Sequence, residues 1–546
     1  MSVLSCLRVD VGLSATGMGI HSSALLPSSL NKTDDTDEMT LTPSTIAIIV
    51  SGCIALFAYK KTKERMPLPP GPPHKLISGN LHQLQRTEPW EGYMKWGAIY
   101  GPILHFRVFT RRIIVLNSSK AVQDLLESRS NIYSDRPVMW MYTELVGRKW
   151  AIFNISSLHP WFRKYRSLFR TALYANDMVD RYQEVQERCS VTLLELLKNE
   201  PENFISHARR NAGSAILEVA YGWSVQDEND YLLSLMKEAF TLQGELTRPG
   251  AWLVDIFPWL RFIPSWFPGG GFHIKAREYR EKMDPVDRFA HAWVKNQMAS
   301  GIYNPSFTST QLQLYSEREG GLSQEDEDVI RWTAAGLYAG GADTTVSAMT
   351  TFFLVMTLHS DVQKRAQEEI DRVVGKDRLP HVKDRGELPY VEAIIKEILR
   401  WAPVVPLGLL RRVTQEDDYM GLRIPEGATV LANIWAIMRD PDLYSDPSSF
   451  NPNRFLGKQS EPDPRKFAFG FGRRICPGAQ FAEDSLFMNI SRILATFEVR
   501  RAVGIDGAEI ETPVEFTSGI TRHPKPFPCQ IVLRDGSAGA RLLSES

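Results

Sequence analysis

The chain has 546 residues, of which 43% are hydrophobic and 23% charged, and its formal net charge is −1. This composition is typical of a globular protein, and the near-zero charge excludes the basic footprint of a nucleic-acid-binding protein. The five cysteines are widely separated and form no C-x-x-C pair, which argues against a disulfide framework, a zinc site and a redox dithiol.

The N-terminal segment divides into three stretches. Residues 1–40 are rich in Ser and Thr and end in an acidic cluster, which predicts a disordered tail. Residues 41–59 are uncharged and mostly apolar, which predicts a transmembrane anchor, and the basic residues that follow place the tail in the lumen and the body in the cytosol. A cleaved signal peptide is the alternative, but the apolar run starts late and its basic flank is on the wrong side. Residues 60–73, basic and then proline-rich, predict a stiff hinge.

The body is predicted to occupy residues 74–535, followed by a C-terminal tail at 536–546. It opens with a β-hairpin at 103–117 that turns near Thr110 and Arg111. Helical periodicity then predicts helices at 160–173, 177–199, 206–221, 230–245, 272–298, 322–357, 360–374, 387–400 and 478–496. Short strands are predicted at 403–414, at 427–432 and near the C-terminus. The fold class is therefore mainly α with small β-sheets (α+β), not a doubly wound sheet.

One cysteine lies in unusual surroundings. Residues 467–483 read FAFGFGRRICPGAQFAE, an aromatic and glycine-rich loop that leads through two arginines to Cys476 and then into a helix. Glycines permit tight turns, and both the arginines and the helix N-terminus favour a thiolate. A buried structural cysteine in a basic loop is the alternative.

These residues match the haem-binding signature F-x-x-G-x-R-x-C-x-G of the cytochrome P-450 superfamily at every position, with Phe469, Gly472, Arg474, Cys476 and Gly478. The resemblance extends over roughly residues 66–535, the whole body. It implies the helix-rich triangular prism of that superfamily and haem b with Cys476 as the thiolate axial ligand, which favours O–O cleavage.

A second feature lies inside the long predicted helix 322–357, where the sequence reads AGGADTT from Ala339. Two mid-helix glycines cost about 1 kcal/mol each relative to Ala, which suggests a close approach to the backbone. In the resembled family the approaching molecule is dioxygen, and Asp343 and Thr344 are then the catalytic acid and hydroxyl that deliver protons. A helix cap is the alternative, but the apolar pattern continues on both sides.

Glu397 and Arg400 lie three residues apart on a predicted helix, so they share a face and can pair. A weak surface ion pair is the alternative. The later segment FNPNRF resembles the one that, in the family, adds a second arginine, here Arg454, to the same carboxylate. The resemblance implies a buried structural network behind the haem.

The resemblance also suggests arginines for the haem propionates. Arg412 follows a proline-rich strand at the family's position, and the adjacent Arg411 is an alternative. The chain departs from the family's W-x-x-x-R pattern, because Trp161 is followed by Arg166 one residue too late. Arg166 remains a candidate for a propionate, and the role of Trp161 is in doubt.

The stretch 252–272 is rich in Trp, Phe, Ile and Pro, and it predicts either a surface that dips into a bilayer or ordinary core. Val138 to Met141 lie where relatives contact substrate. The apolar character suits a lipophilic terpenoid, polyketide or indolic substrate. This stretch and the C-terminal FTSGITRHPKPFPCQ look most like membrane-bound basidiomycete members, many of which act in secondary metabolism.

The predicted function is a monooxygenase that uses dioxygen. The resemblance implies electrons from a separate NADPH-dependent reductase on the endoplasmic reticulum, docked by the basic residues Arg163, Lys164, Arg465, Lys466 and Arg473. A haem–thiolate isomerase or dehydratase and a non-catalytic haem-binding membrane protein are the alternatives. Glycosylation sequons begin at Asn31, Asn117, Asn154 and Asn489, and the predicted topology exposes only Asn31 to the lumen.

Overall fold

The computed structural model describes residues 51–52, 66–227, 229–248, 250–537, 539–540 and 543. The chain divides into a unit at Met1–Arg65 and a unit at Met66–Ser546, and all that follows concerns the second. The predicted tail at 1–40, the anchor at 41–59 apart from two residues, and the start of the hinge lie outside the described residues. Within the described part, no helix is long and apolar enough to cross a bilayer.

The long helices of the described chain are α1 Pro89–Tyr100, α2 Pro160–Tyr174, α3 Asn176–Asn199, α4 Phe204–Tyr221, α5 Tyr231–Thr247, α6 Phe272–Ser300, α7 Phe307–Ser316, α8 Gln324–Leu358, α9 Ser360–Val373, α10 Pro389–Trp401 and α11 Ala479–Thr496. Shorter helical segments lie at Leu81–Gln83, Ser119–Val122, Gln123–Ser128, Trp140–Leu145, Pro201–Asn203, Leu253–Ile256, Pro258–Phe262, Val382–Glu387, Ile434–Ile437, Pro452–Phe455, Arg465–Ala468 and Gly472–Arg474. The predicted mainly helical fold with small sheets is confirmed.

The strands are β1 Ile103–Val108, β2 Arg111–Leu116, β3 Arg411–Arg412, β4 Asp417–Tyr419, β5 Leu422–Ile424, β6 Thr429–Ala432, β7 Phe497–Arg501 and β8 Cys529–Leu533. They form a four-stranded sheet in the order β1-β2-β6-β3 and two hairpin-like pairs, β4-β5 and β7-β8. β2 and β6 run parallel, and β3 lies antiparallel to β6 at the sheet edge.

The predicted hairpin is confirmed, with Ile103 opposite Leu116 and a turn at Phe109 that has a positive φ of 50°. All nine predicted helices are present. Helices α1 and α7 were missed, because α1 contains two glycines and α7 is a short Ser/Thr-rich segment, and both compositions have low helix propensity. The predicted strand 403–414 was wrong except at Arg411–Arg412, since the prolines before it remove ladder donors.

Helix α8 runs through the interior and is buried on nearly all sides in its second half. Its first half packs with α2, α4, α6 and α7, and its second half packs with α9, α10 and α11. Gly336 and Gly341 make the close approaches possible, because a Cβ at Gly336 would lie 2.7 Å from Ile152 and one at Gly341 would lie 3.2 Å from Ile216. The helix that carries Asp343 and Thr344 is thereby fixed on both sides.

The network of Glu397, Arg400 and Arg454 is present and buried. Arg400 donates two hydrogen bonds of 2.7 Å to the carboxylate of Glu397, and both side chains are 0% exposed. Arg454 adds a contact of 3.2 Å, and the backbone N–H of Asn451 donates at 2.8 Å. The remaining Arg400 donors bind backbone carbonyls, including that of Pro447 at 2.8 Å. The interpretation of a mere surface pair is wrong, because both arginines are held inside the fold.

We expect Glu397→Gln to lower the free energy of unfolding by about 3 kcal/mol, because it leaves two buried guanidinium groups facing a neutral amide. Lys275→Gln is the control, since Lys275 and Glu278 form an exposed pair at 2.8 Å whose loss should cost less than about 1 kcal/mol. Urea unfolding followed by far-UV circular dichroism measures both. Equal costs for the two variants would contradict the structural role.

Candidate active site

The cysteine loop, residues 467–478, is a tight backbone structure that ends where α11 begins. The N–H of Cys476 donates to the carbonyl of Phe469 at 2.7 Å, which closes the loop. Gly472 has a φ of 55°, and a Cβ there would lie 2.3 Å from the carbonyl oxygen of Leu126. Only glycine fits that position, so the match to the signature has a steric reason here.

The surroundings of Cys476 have opposing effects on the pKa of its thiol. Burial raises its pKa, while the backbone N–H of Gly478 and the charge of Arg166 lower it. Arg166 also donates to the carbonyl of Ile475 at 2.8 Å, which places its charge beside the loop. A cation bound directly to sulfur is the partner that makes a buried thiolate favourable. By contrast, burial raises the pKa of Cys189 to about 12, as expected of an inert core thiol.

Three arginines, Arg136, Arg411 and Arg474, form an arginine cluster next to this loop. Burial and, to a smaller extent, the charge of Arg136 together lower the pKa of Arg411 to about 9. Burial also lowers the pKa of Arg136 to about 10, and the pKa of Arg474 lies well below its usual value because of burial and both neighbours. Asp135 raises the pKa values of Arg136 and Arg474 but already pairs with Arg412, so these repelling cations favour a further anion among them.

The cluster's own hydrogen bonds do not supply that anion. Arg411 donates to the carbonyl of Phe471 at 2.7 Å, Arg474 donates to those of Ser134 at 2.9 Å and Ile152 at 3.1 Å, and Arg136 donates to backbone carbonyls. The Nε of Arg136 is buried and finds no acceptor among the described residues. A flat ligand with two carboxylates, such as a haem with its propionates, fits this charge and these donors.

Arg411 and Arg412 occupy opposite faces of β3, because successive strand residues point to opposite sides. Arg411 is 5% exposed and lies in the arginine cluster, whereas Arg412 pairs with Asp135, with a bond of 2.9 Å from its Nε. The geometry favours Arg411, the alternative drawn from the sequence. The roles of Arg412 and Arg166 at a propionate stay predictions.

Trp161 is turned towards the start of α8. Its Nε1–H donates to Glu325 at 2.9 Å, and its ring lies 5.0 Å from that of Trp150. Its neighbour Phe162 instead lies under the guanidinium of Arg474, at 4.2 Å. In the family pattern that ends at Arg166, the tryptophan would stand at position 162. In this chain Phe162 occupies that position and packs against an arginine of the cysteine loop.

The middle of α8 opens onto the interior at Gly340. A Cβ there would meet only Phe153, at an ordinary 3.5 Å, unlike at Gly341. The hydroxyl of Thr344 donates to the carbonyl of Gly340 at 2.7 Å, so its oxygen lone pairs remain free to accept a hydrogen bond. Thr344 is half-buried, as are Gly340 and Asp343, whereas the helix is buried from Thr345 almost to its end. A water molecule bound there would be oriented by the hydroxyl.

Asp343 is held by the C-terminal loop, residues 516–524. Its Oδ2 lies 3.1 Å from Nε2 of His523. Burial raises the pKa of Asp343, but hydrogen bonds from His523 and Thr521 and the charge of Arg209 outweigh it, so the pKa is below the usual value. The acid is therefore ionised near neutral pH.

An apolar cavity adjoins this part of α8. The cavity residues are Tyr142, Arg148, Ala151, Ile152, Phe153, Met236, Ala239, Phe240, Gln243, Met283, Val286, Trp332, Ala335, Gly336, Tyr338 and Ala339. Its few polar groups include Tyr142, whose hydroxyl donates to Gln243 at 3.1 Å. Met141 of the predicted substrate loop is instead buried among α5 and α6 side chains. The loop thus contributes its next residue, Tyr142.

The sequence analysis missed Arg136, Tyr142 and His523. The one local signal for Arg136 is its place before Pro137, which favours an extended backbone. Tyr142 directly follows the predicted substrate-contacting residues 138–141, whereas no pattern near His523 marks it as part of the site. Each of these residues lies in the site because it contacts residues that are far away in the sequence.

Comparison with known proteins gives a consistent result. The profile of the cytochrome P450 family matches residues 69–530. Cytochrome P450 monooxygenase 208 of Postia placenta is 40% identical over 497 residues, which cover 90% of this chain and 95% of the relative. Cytochrome P450 monooxygenase claR of Ampulloclitocybe clavipes is 40% identical, covering 91% and 93%. Tryptamine 4-monooxygenase of Psilocybe cyanescens is 34% identical, covering 90% and 97%.

Arg411 and Arg412 are adjacent in the sequence, and substituting each in turn tests which of them holds a haem propionate. We expect Arg411→Gln to weaken haem retention about 10-fold, because it removes a cation from the propionate side. Arg412→Gln should retain haem nearly as the wild type does, since it only releases Asp135. Haem transfer to apomyoglobin, followed by absorbance, measures both rates. Faster loss from the Arg412 variant would assign the propionate to Arg412.

Proposed function

This chain belongs to the cytochrome P450 family, whose members are monooxygenases with a cysteine-ligated haem, and from that premise we propose that it oxygenates a lipophilic small molecule of fungal secondary metabolism. The observation that carries the proposal is the apolar cavity lined by Gly336 and Ala339 of α8, the same helix that carries Thr344. A cavity with few polar groups selects substrates by shape and apolar area.

The relatives support the same substrate class. The name of the Psilocybe cyanescens relative states that it acts on tryptamine, an indolic molecule, and this chain is 34% identical to it. Tyr142 and Gln243 offer one polar contact inside an apolar lining, which suits a ring system that carries a single polar substituent. An indolic or terpenoid skeleton meets that description.

The residues of this chain hold the cofactor and move protons. Cys476 would bind the haem iron through its thiolate, and the arginine cluster would hold the propionates. Haem supplies the activation of dioxygen. Thr344 orients a water through its free lone pairs, and Asp343 supplies protons to that water by rotating from the C-terminal loop towards the cavity. A haem–thiolate isomerase needs neither group.

We propose a reductase docking surface at Arg163, Lys466 and Arg473, which are exposed. The other two basic candidates are already paired: Lys164 lies 2.8 Å from Glu325, and Arg465 lies 2.8 Å from Glu483. Three exposed cations near the cysteine loop suit an acidic partner that delivers electrons from NADPH.

We further propose that the enzyme is anchored in the endoplasmic reticulum membrane through residues 41–59, with the body in the cytosol. A second contact is supported by the stretch 252–272, where Phe262 is 73% and Trp266 80% exposed. Phe267 lies beside Trp266, with ring centroids 6.0 Å apart. Exposed aromatic pairs of this kind favour a membrane interface.

Turnover with reductase and NADPH against terpenoid, polyketide and indolic substrates tests the function. Thr344→Ala should keep haem and NADPH consumption but shift its yield from oxygenated product to hydrogen peroxide, roughly 10-fold, because the oriented water is lost. Thr350→Ala is the control, since Thr350 also donates to its own helix, at 2.8 Å, but lies in the core. Full coupling in Thr344→Ala would contradict the proton-delivery role and favour the isomerase reading.

The membrane contact is tested by the double substitution Trp266→Ser and Phe267→Ser in a protein that lacks residues 1–65. We expect its partitioning to liposomes to fall roughly 30-fold or more, because about 2 kcal/mol or more of apolar burial in the interface is lost. Met420→Ser with Ile505→Ser, which are also highly exposed, is the control. Equal sedimentation of all three proteins would contradict the contact.

A further inference from the structure

The carboxylate of Asp343 is held by a loop that lies 180 residues further along the chain. Its Oδ2 lies 3.1 Å from Nε2 of His523, and the hydroxyl of Thr521 is a second donor. Both residues belong to the C-terminal loop. The acid of α8 is therefore controlled by a segment outside the helix.

The position of His523 is fixed by its backbone. Its N–H donates to the hydroxyl of Thr517 at 3.0 Å, and the N–H of Thr517 donates to the carbonyl of His523 at 2.8 Å. One helical turn further along α8, Ser347 donates to the carbonyl of Arg522 at 2.5 Å. The His523 side chain is 22% exposed, so the ring touches both solvent and Asp343.

The other ionisable groups around Asp343 do not transfer protons at neutral pH. Arg209 on α4 lowers the pKa of Asp343 by its charge, but a guanidinium does not release its proton. Tyr338 on α8 has a pKa raised far above its usual value, chiefly by burial and also by the charge of Asp343. His523 is the remaining neighbour, and its imidazole nitrogens can both donate and accept a proton.

We propose that His523 is a positioning residue that acts through Asp343 by reloading the carboxylate with protons from solvent. The imidazolium Nε2–H passes its proton to Oδ2 of Asp343, which breaks the N–H bond and forms an O–H bond, and a solvent proton restores the imidazolium. The neutral acid then leaves the loop and turns towards Thr344. This role deepens the proposed function and rests on it.

The test uses the full-length holoenzyme with reductase and NADPH in the absence of substrate, where each NADPH reduces one dioxygen to peroxide and consumes protons. His523→Gln retains an N–H donor for Asp343 but does not carry a proton. We expect it to slow NADPH oxidation about 10-fold and to raise the solvent deuterium isotope effect, with an unchanged carbon-monoxide spectrum. The slope of rate against pH near neutrality should flatten as well.

Two controls separate proton transfer from loop anchoring. Ser347→Ala removes the neighbouring bond between α8 and the C-terminal loop and should oxidise NADPH at the wild-type rate. His523→Gln in an Asp343→Asn background should add no further slowing, since His523 acts through that carboxylate. A wild-type rate in His523→Gln, equal slowing in Ser347→Ala, or additive slowing in the double variant would each overturn the proposal.

A readout without turnover separates this proposal from the proposed function. The melting temperatures of Asp343→Asn, His523→Gln and the double variant should be non-additive, because the two side chains interact directly. Additive shifts would overturn the contact. If wild-type protein consumes no NADPH with any reductase while the non-additivity persists, the proposed function fails and the contact stands.

Discussion

Burial of charge beside the sulfur of Cys476 is the constraint on which the site depends. Burial raises the pKa of the thiol, and the cations nearby are themselves desolvated, so that Arg136 and Arg411 have lowered pKa values. Neither the sulfur nor the cluster is stabilised by the protein alone. A ligand that combines a metal cation with two carboxylates resolves both problems at once, and haem is such a ligand.

The network at Glu397 shows what a charge cluster looks like when the protein completes it. There the carboxylate accepts bonds from Arg400 and Arg454, and the remaining donors of Arg400 find backbone carbonyls. Burial also lowers the pKa values of Arg136 and Arg411, but the hydrogen bonds that these two make within the described residues go to backbone carbonyls. This difference distinguishes a cluster that stabilises the scaffold from one that binds a cofactor.

Within a few residues, helix α8 both packs tightly against a neighbouring helix and leaves open space beside its backbone. Gly341 solves the packing, since a Cβ there would crowd Ile216. Gly340, one residue earlier, is rotated by about 100° around the helix axis and leaves space near Phe153. The two adjacent glycines therefore serve different purposes: Gly341 allows close packing, and Gly340 leaves open space. The side chain of Asp343 points in a third direction, towards the C-terminal loop.

The sequence alone predicted the cysteine loop and all the long helices except α1 and α7, because these depend on contiguous residues: glycines permit the tight turns of the loop, and helical periodicity records which face is buried. The tertiary structure decided which arginine joins the cluster. Arg411 and Arg412 are adjacent and chemically identical, and only the register of β3 on β6 turns the first inward. It also decided that His523 meets Asp343, because no local pattern encodes a contact between residues 180 positions apart. Such contacts form only when segments that are distant in the sequence pack together in the folded protein.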